Sequence, residues 1–244
     1  MLLRVPDAID QPLWEGELKP DDTAPDVARR SDPVSEPTNA MRDLPIVSIG
    51  RPEVWNLVDL YPSNKLPVTV RTKLAEAKFY LVRLSCSFRP ARDRTRIDWA
   101  RLTVSLQPDA TGQVANAFDL HPLLVSQEVK RNLKVSLSPT LKFQEVEAGI
   151  GELGFGFEYT EIQPTISASG AGESEPAWDF SAAAGAHVQG SKWMHLLLKM
   201  STEMTACDAN LHLTADVVRS GVRIPVFSRP TQTSAKPLTV RLCG

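Results

Sequence analysis

The chain is 244 residues long, 42% hydrophobic and 23% charged, with a formal net charge of −2. That length and balance suit a globular protein with a sizeable core, in one large domain or two modest ones, and the near-neutral charge excludes a global pull toward nucleic acid or acidic lipid. No apolar run reaches the roughly 20 residues a membrane helix needs, and the opening MLLRVPDAIDQPLWEG lacks a secretory apolar core. Three cysteines, Cys86, Cys207 and Cys243, without CxxC spacing argue against a disulfide scaffold and point to a reducing, cytoplasmic setting.

Residues 1–76 read as a Pro-rich N-terminal arm or linker. Ten of the nineteen prolines lie between Pro6 and Pro67. The segment PDDTAPDVARRSDPVSEPT, from Pro20 to Thr38, is nearly free of large apolar side chains and cannot bury enough surface to offset chain entropy. Leu13 and Trp14 suit an anchored N-terminal strand, and Leu44–Gly50 a short one. Val54, Trp55, Val58 and Tyr61 fall near helical spacing between Pro52 and Pro62, which predicts one short helix there. Val68–Val70 reads as another short strand.

Residues 77–244 read as an antiparallel β domain. In AKFYLVRLSCSF, Phe79, Leu81 and Arg83 fall on one side and Tyr80, Val82 and Leu84 on the other, as in a central strand covered on both faces. Ile97 and Trp99 alternate, then Leu102, Val104 and Leu106 do so in shifted parity, which predicts a bulge near Ala100. Together the two runs predict a long hairpin tipped by RPARDRTR. Ala117–Leu120 reads as an edge piece. The stretch Leu133–Gly170 carries the most sustained period-two pattern in the chain, with one wet face. Ala177–Ser181, Lys192–Met200, Leu211–Arg219, Arg223–Ser228 and Leu238–Leu242 complete the strands. The predicted fold is therefore all-β, an antiparallel β-sandwich with a barrel-like alternative, carrying at most one short helix in its N-terminal segment.

Chemistry is harder to locate. Arg83, Arg89, Arg92, Arg94 and Arg96 concentrate cationic forks around the expected hairpin tip, a pattern that suits an anion, an acidic partner or a nucleic-acid backbone, or simply keeps a sheet edge in water. Glu173, Glu175 and Asp179 flank Trp178, the pairing a sugar hydrolase or calcium loop uses, although the DxDxDG order is missing. His121, His187, His195 and His212 show no metal-ligand spacing, and Cys207, His212 and Asp216 make a nucleophilic set only on paper. There is no GxSxG and no phosphate-binding glycine loop. The sequence thus favours a non-enzymatic binding or structural module working through protein contacts, a partner or second copy, with no cofactor, no metal and no membrane role. Anion or nucleic-acid binding and sugar hydrolysis stand as alternatives.

Overall fold

The computed structural model describes residues 11–17, 19–20, 45–61, 66–89, 95–110, 112–125, 165–182, 187–219, 222–227 and 238–243. Most of the strongly alternating stretch Leu133–Gly170, together with Arg92 and Arg94, lies outside the described residues. The strands are β1 (Pro12–Glu17), β2 (Lys19–Pro20), β3 (Ile46–Gly50), β4 (Glu53–Asn56), β5 (Lys78–Arg89), β6 (Thr95–Pro108) and β7 (Ala115–His121). They continue as β8 (Leu124–Val125), β9 (Thr165–Ser169), β10 (Ala177–Ser181), β11 (Gly190–Met200), β12 (Cys207–Arg219), β13 (Val222–Phe227) and β14 (Leu238–Cys243). Among the described residues one α-helix, α1 (Val68–Glu76), and one 3-10 turn, Leu57–Leu60, accompany them.

The strands form two antiparallel sheets that pack as a sandwich, not a closed barrel. The first runs β1-β3-β5-β11-β7, with β4 beside β5, and the second runs β2-β13-β12-β6-β10-β9-β8, with β14 beside β12. Alternation decides what lies between them. Val82, Leu84, Cys86 and Phe88 of β5 and Met194, Leu196 and Leu198 of β11 face Leu102, Val104, Trp178, Phe180 and Leu213 of the second sheet in one core. Phe88 and Phe180 meet edge to face across it, with ring centroids 5.6 Å apart.

The predicted hairpin does not form. Phe79–Phe88 pairs with β3, β4 and β11, whereas Ile97–Leu106 pairs with β12 and β10 in the opposite sheet. Alternation reports which face a side chain takes but not which strand lies alongside, so sequence neighbours were paired by default. The expected bulge is present: the ladder between β6 and β12 shifts where Ile97 and Trp99 meet Val217 and Asp216. It lies slightly before Ala100.

The helix also sits elsewhere. Val54 and Trp55, placed on the predicted helix, belong to β4 and pair with Val82 and Leu81, and a 3-10 turn follows, in which the Asn56 side chain accepts from the Val58 N–H. Val68–Val70, predicted as a strand, opens α1. There Pro67 ends the preceding extended chain, and Thr72 Oγ1 donates to the Val68 carbonyl. β-branching favours strands only weakly, and packing overrides it here: Val70 and Leu74 close with Leu57 over Phe79 and Leu197.

The loop between β9 and β10 seals one side of the sandwich. Ala117 of β7 donates to Glu173 and accepts from Gly172, while Val104 and Leu106 of β6 donate to Pro176 and Ser174. Gly170 makes the turn at φ +86°, where a Cβ would press on the Glu175 carbonyl and Pro176 at 2.9 Å.

At Gly50 the close approach is side chain to backbone: an added Cβ would overlap Ser85 Oγ, while Ser85 Cβ stands 3.3 Å away. Gly50→Ala is therefore expected to cost about 1–2 kcal/mol in urea unfolding, and Ser85→Ala in the same chain is expected to restore most of it. A double variant no more stable than Gly50→Ala alone would show that the strain lies elsewhere.

Candidate functional site

The outer face of the first sheet carries an unusual row. β4, β5, β11 and β7 lie side by side, and their ladders align Glu53 with Arg83, Arg83 with His195, and His195 with His121. Two residues along β4 and β11 on the same face come Trp55 and Trp193, since a strand returns to a face every second residue. Glu53, Trp55, Trp193 and His195 surround Arg83, and His121 lies beyond His195.

Arg83 is only 4% exposed. Its Nε donates to Glu53 Oε2 at 2.5 Å, and its guanidinium lies 4.9 Å from the Trp55 ring and 5.5 Å from the Trp193 ring. A carboxylate on Nε and two indole rings close to the guanidinium carbon suit a planar, weakly hydrated cation far better than an ammonium. Glu53 keeps some water contact at 19% exposure, and both tryptophans are half-buried. Leu60, Leu81 and Tyr61 close the base of Trp55.

The histidines continue the row. His195 is 4% exposed, and its ring centroid is 6.3 Å from that of His121. Burial lowers the pKa of His121 to about 4. Burial, then the neighbouring His121, then the Arg83 charge lower that of His195 to about 3. Both rings are therefore neutral at physiological pH, and the row holds one cation and one anion.

Of the sequence-derived arginines, Arg83, Arg89 and Arg96 are among the described residues. Arg83 is not on an exposed tip but inside this row. Arg89 ends β5 and makes two 3.0 Å hydrogen bonds to the Glu15 carboxylate of β1. Arg96, in the other sheet, sits 3.2 Å from Asp98. Each described arginine of the predicted cluster thus has its own carboxylate, and Arg92 and Arg94 lie outside the described residues.

The acidic residues also have local partners. Asp179 receives two 2.8 Å hydrogen bonds from Arg101, which itself stacks on Trp99 at 5.7 Å. Glu175 accepts from Ser105 Oγ at 2.5 Å. Arg101 and Ser105 are four residues apart on β6, so the two carboxylates are anchored at backbone positions roughly 13 Å apart at strand rise. Glu173 serves through its backbone, bonded to Gly170 and Ala117. Trp178, between them, faces the core at 0% exposure. Cys207 is also fully buried, and Cys207, His212 and Asp216 alternate in face along β12, which separates the first from the other two.

The sequence reading passed over Glu53, Trp55, Trp193 and the buried Lys192, which is 2% exposed opposite Cys86. A signal existed: Glu53-x-Trp55 and Trp193-x-His195 each place two polar or aromatic groups on one strand face. Among the described residues no cluster of three or more metal-type ligands occurs, and no helix is long and apolar enough to cross a membrane.

No protein-family model matches the chain, and no curated protein matches it. Among solved structures, Clostridium perfringens delta-toxin is similar over 80% of this chain and 88% of that one, at 8% identity and a TM-score of 0.37. A likeness that distant carries neither fold nor function.

Two outcomes test the row. Arg83→Met is expected to lower stability by about 2–3 kcal/mol, because it strands Glu53; the loss is at the low end for a broken buried pair since Glu53 reaches water. Glu53→Gln combined with Arg83→Met is expected to recover part of it in denaturant titrations. For pH the sign follows from the lowered histidine values: the folded state resists protons that the unfolded chain accepts below about pH 6.5. Stability is therefore full above about 6.5 and falls on acidification toward the folded values, by up to about 1.4 kcal/mol per pH unit for each histidine. His195→Asn is expected to flatten urea midpoints between pH 6.5 and 5, and an unchanged slope would contradict the assignment.

Proposed function

We propose that this chain is a non-enzymatic binding module that works through protein–protein contacts, with the Trp55–Arg83–Trp193 stack at the centre of its recognition surface. The observation that carries this reading is the pair of half-buried tryptophans braced on a buried, ion-paired arginine. A core would take those rings in whole, as it takes Trp178. Here each ring keeps apolar area in water for a partner to cover, and Trp with Arg is the composition of interface hot spots.

The bracing supports the same reading. Rings already fixed by stacking lose little rotamer freedom on docking. The Arg83 charge is already matched by Glu53, so a partner covering the stack does not have to desolvate a bare cation. The neutral histidines beside it add no charge to be buried.

A photo-crosslinking amino acid in place of Trp193, or of Val58 beside the stack, is expected to capture a protein partner or a second copy of the chain. Val58 is 45% exposed on the 3-10 turn. The same probe at Thr214, on the outer face of the second sheet, is the control. Capture only at Thr214 would overturn the proposal. Once the partner is in hand, Trp193→Ala is expected to weaken it about thirtyfold or more, with circular dichroism showing that the sheets persist.

A further inference from the structure

Cys207 opens β12 and Cys243 closes β14, and the two are direct partners in the antiparallel ladder. The next pair is Asp208 with Arg241, so β14 takes two steps where β12 takes one. That bulge decides where the Cys243 sulfur points. Arg241 faces outward, where its Nε donates to Asp208 at 3.0 Å. Strict alternation would send Leu242 inward and Cys243 back out. A bulge instead turns two successive side chains toward one side. Leu242 is 3% exposed, and the Cys243 thiol lies 3.1 Å from the Met200 sulfur, itself a core group at 1% exposure. Cys207 is 0% exposed in the same core.

Both sulfurs therefore stand on the inner side of one ladder rung. Directly opposed residues of an antiparallel pair have Cα atoms about 4.5–5.5 Å apart, within the roughly 4.4–6.8 Å that a disulfide spans. The third cysteine has no such neighbour in register: Cys86 faces Ile49 on one side and Lys192 on the other.

We propose that Cys207 and Cys243 form a redox pair that closes an intramolecular disulfide between β12 and β14 in the presence of a low-molecular-weight disulfide such as oxidised glutathione. Cys243, the partly exposed member, acts first. Its thiolate attacks one glutathione sulfur, the glutathione S–S bond breaks, and one glutathione thiolate leaves and takes up a proton. The Cys207 thiol then gives its proton to water, and its sulfur attacks Cys243, displacing the second glutathione thiolate. Two protein thiols lose two electrons in all, and one glutathione disulfide becomes two thiols. Burial raises both protein thiols, Cys207 to about 12. Exchange is therefore slow near neutrality and quickens with alkaline pH, because the thiolate is the nucleophile.

The consequence falls on β14, whose one ladder partner among the described residues is β12. A bond at Cys243 fixes one end of that strand to a long central strand and turns a frayable segment into a stapled one.

The test uses the full chain at pH 8.5 with oxidised glutathione, against a dithiothreitol control. Free thiols counted under denaturing conditions are expected to fall from three to one. A non-reducing tryptic map is expected to show Met200–Arg219 linked to Leu242–Gly244. Amide exchange across Leu238–Cys243 is expected to slow about thirtyfold or more in the oxidised protein. Cys86→Ser is expected to leave the link intact, and Cys243→Ser to abolish it. Three thiols persisting after oxidation, a lasting glutathione adduct on Cys243, or a covalent dimer through Cys243 would each overturn the proposal.

Discussion

The strand β5 has no wet face, and much of the first sheet follows from that constraint. Its even-numbered side chains from Val82 to Phe88 pack against the second sheet. Its odd-numbered ones, Phe79 and Leu81, need a second cover, which the 3-10 turn and α1 provide with Leu57, Leu60 and Val70. That cover reaches the sheet through β4, whose pairing with β5 places Glu53 beside Arg83. A charge inside a doubly covered strand is tolerable only with a counter-ion and close polarisable neighbours. Glu53, Trp55 and Trp193 meet that requirement, so the packing problem and the candidate recognition surface have one origin.

The same row shows how burial allots charge. Arg83 is matched by the Glu53 carboxylate on its Nε. Burial leaves His195 and His121 neutral, and the Arg83 charge adds to that at His195. One sheet face thus stays electrically balanced although four ionisable side chains cross it in line.

How much of this was legible in the sequence depends on whether the information is local. Period-two alternation identified β5 as covered on both faces and located the parity shift between Ile97 and Leu102. It could not say that β5 and β6 belong to different sheets, because a strand's pattern records its faces and not its neighbours. The predicted helix failed for a related reason: Val54, Trp55, Val58 and Tyr61 approximate a helical repeat, yet β5 offers an edge that Val54 and Trp55 complete. Arg83 was picked out as a cation, but its surroundings come from β4, β11 and β7, distant in the chain. The pairing of Cys207 with Cys243 was hidden in the same way, by a bulge that no spacing rule announces.

The handover of β5 and β6 to opposite sheets bears on how the chain acquires its structure. The ladder mate that flanks β5 on the β7 side, β11, begins at Gly190, long after β5 ends at Arg89. During synthesis the early strands leave the ribosome well before that mate exists, with Val82, Leu84 and Phe88 in contact with water. Topologies dominated by such distant pairings assemble slowly and display sticky ribbons on the way. In a cell, this chain should lean on holding chaperones until its last third emerges.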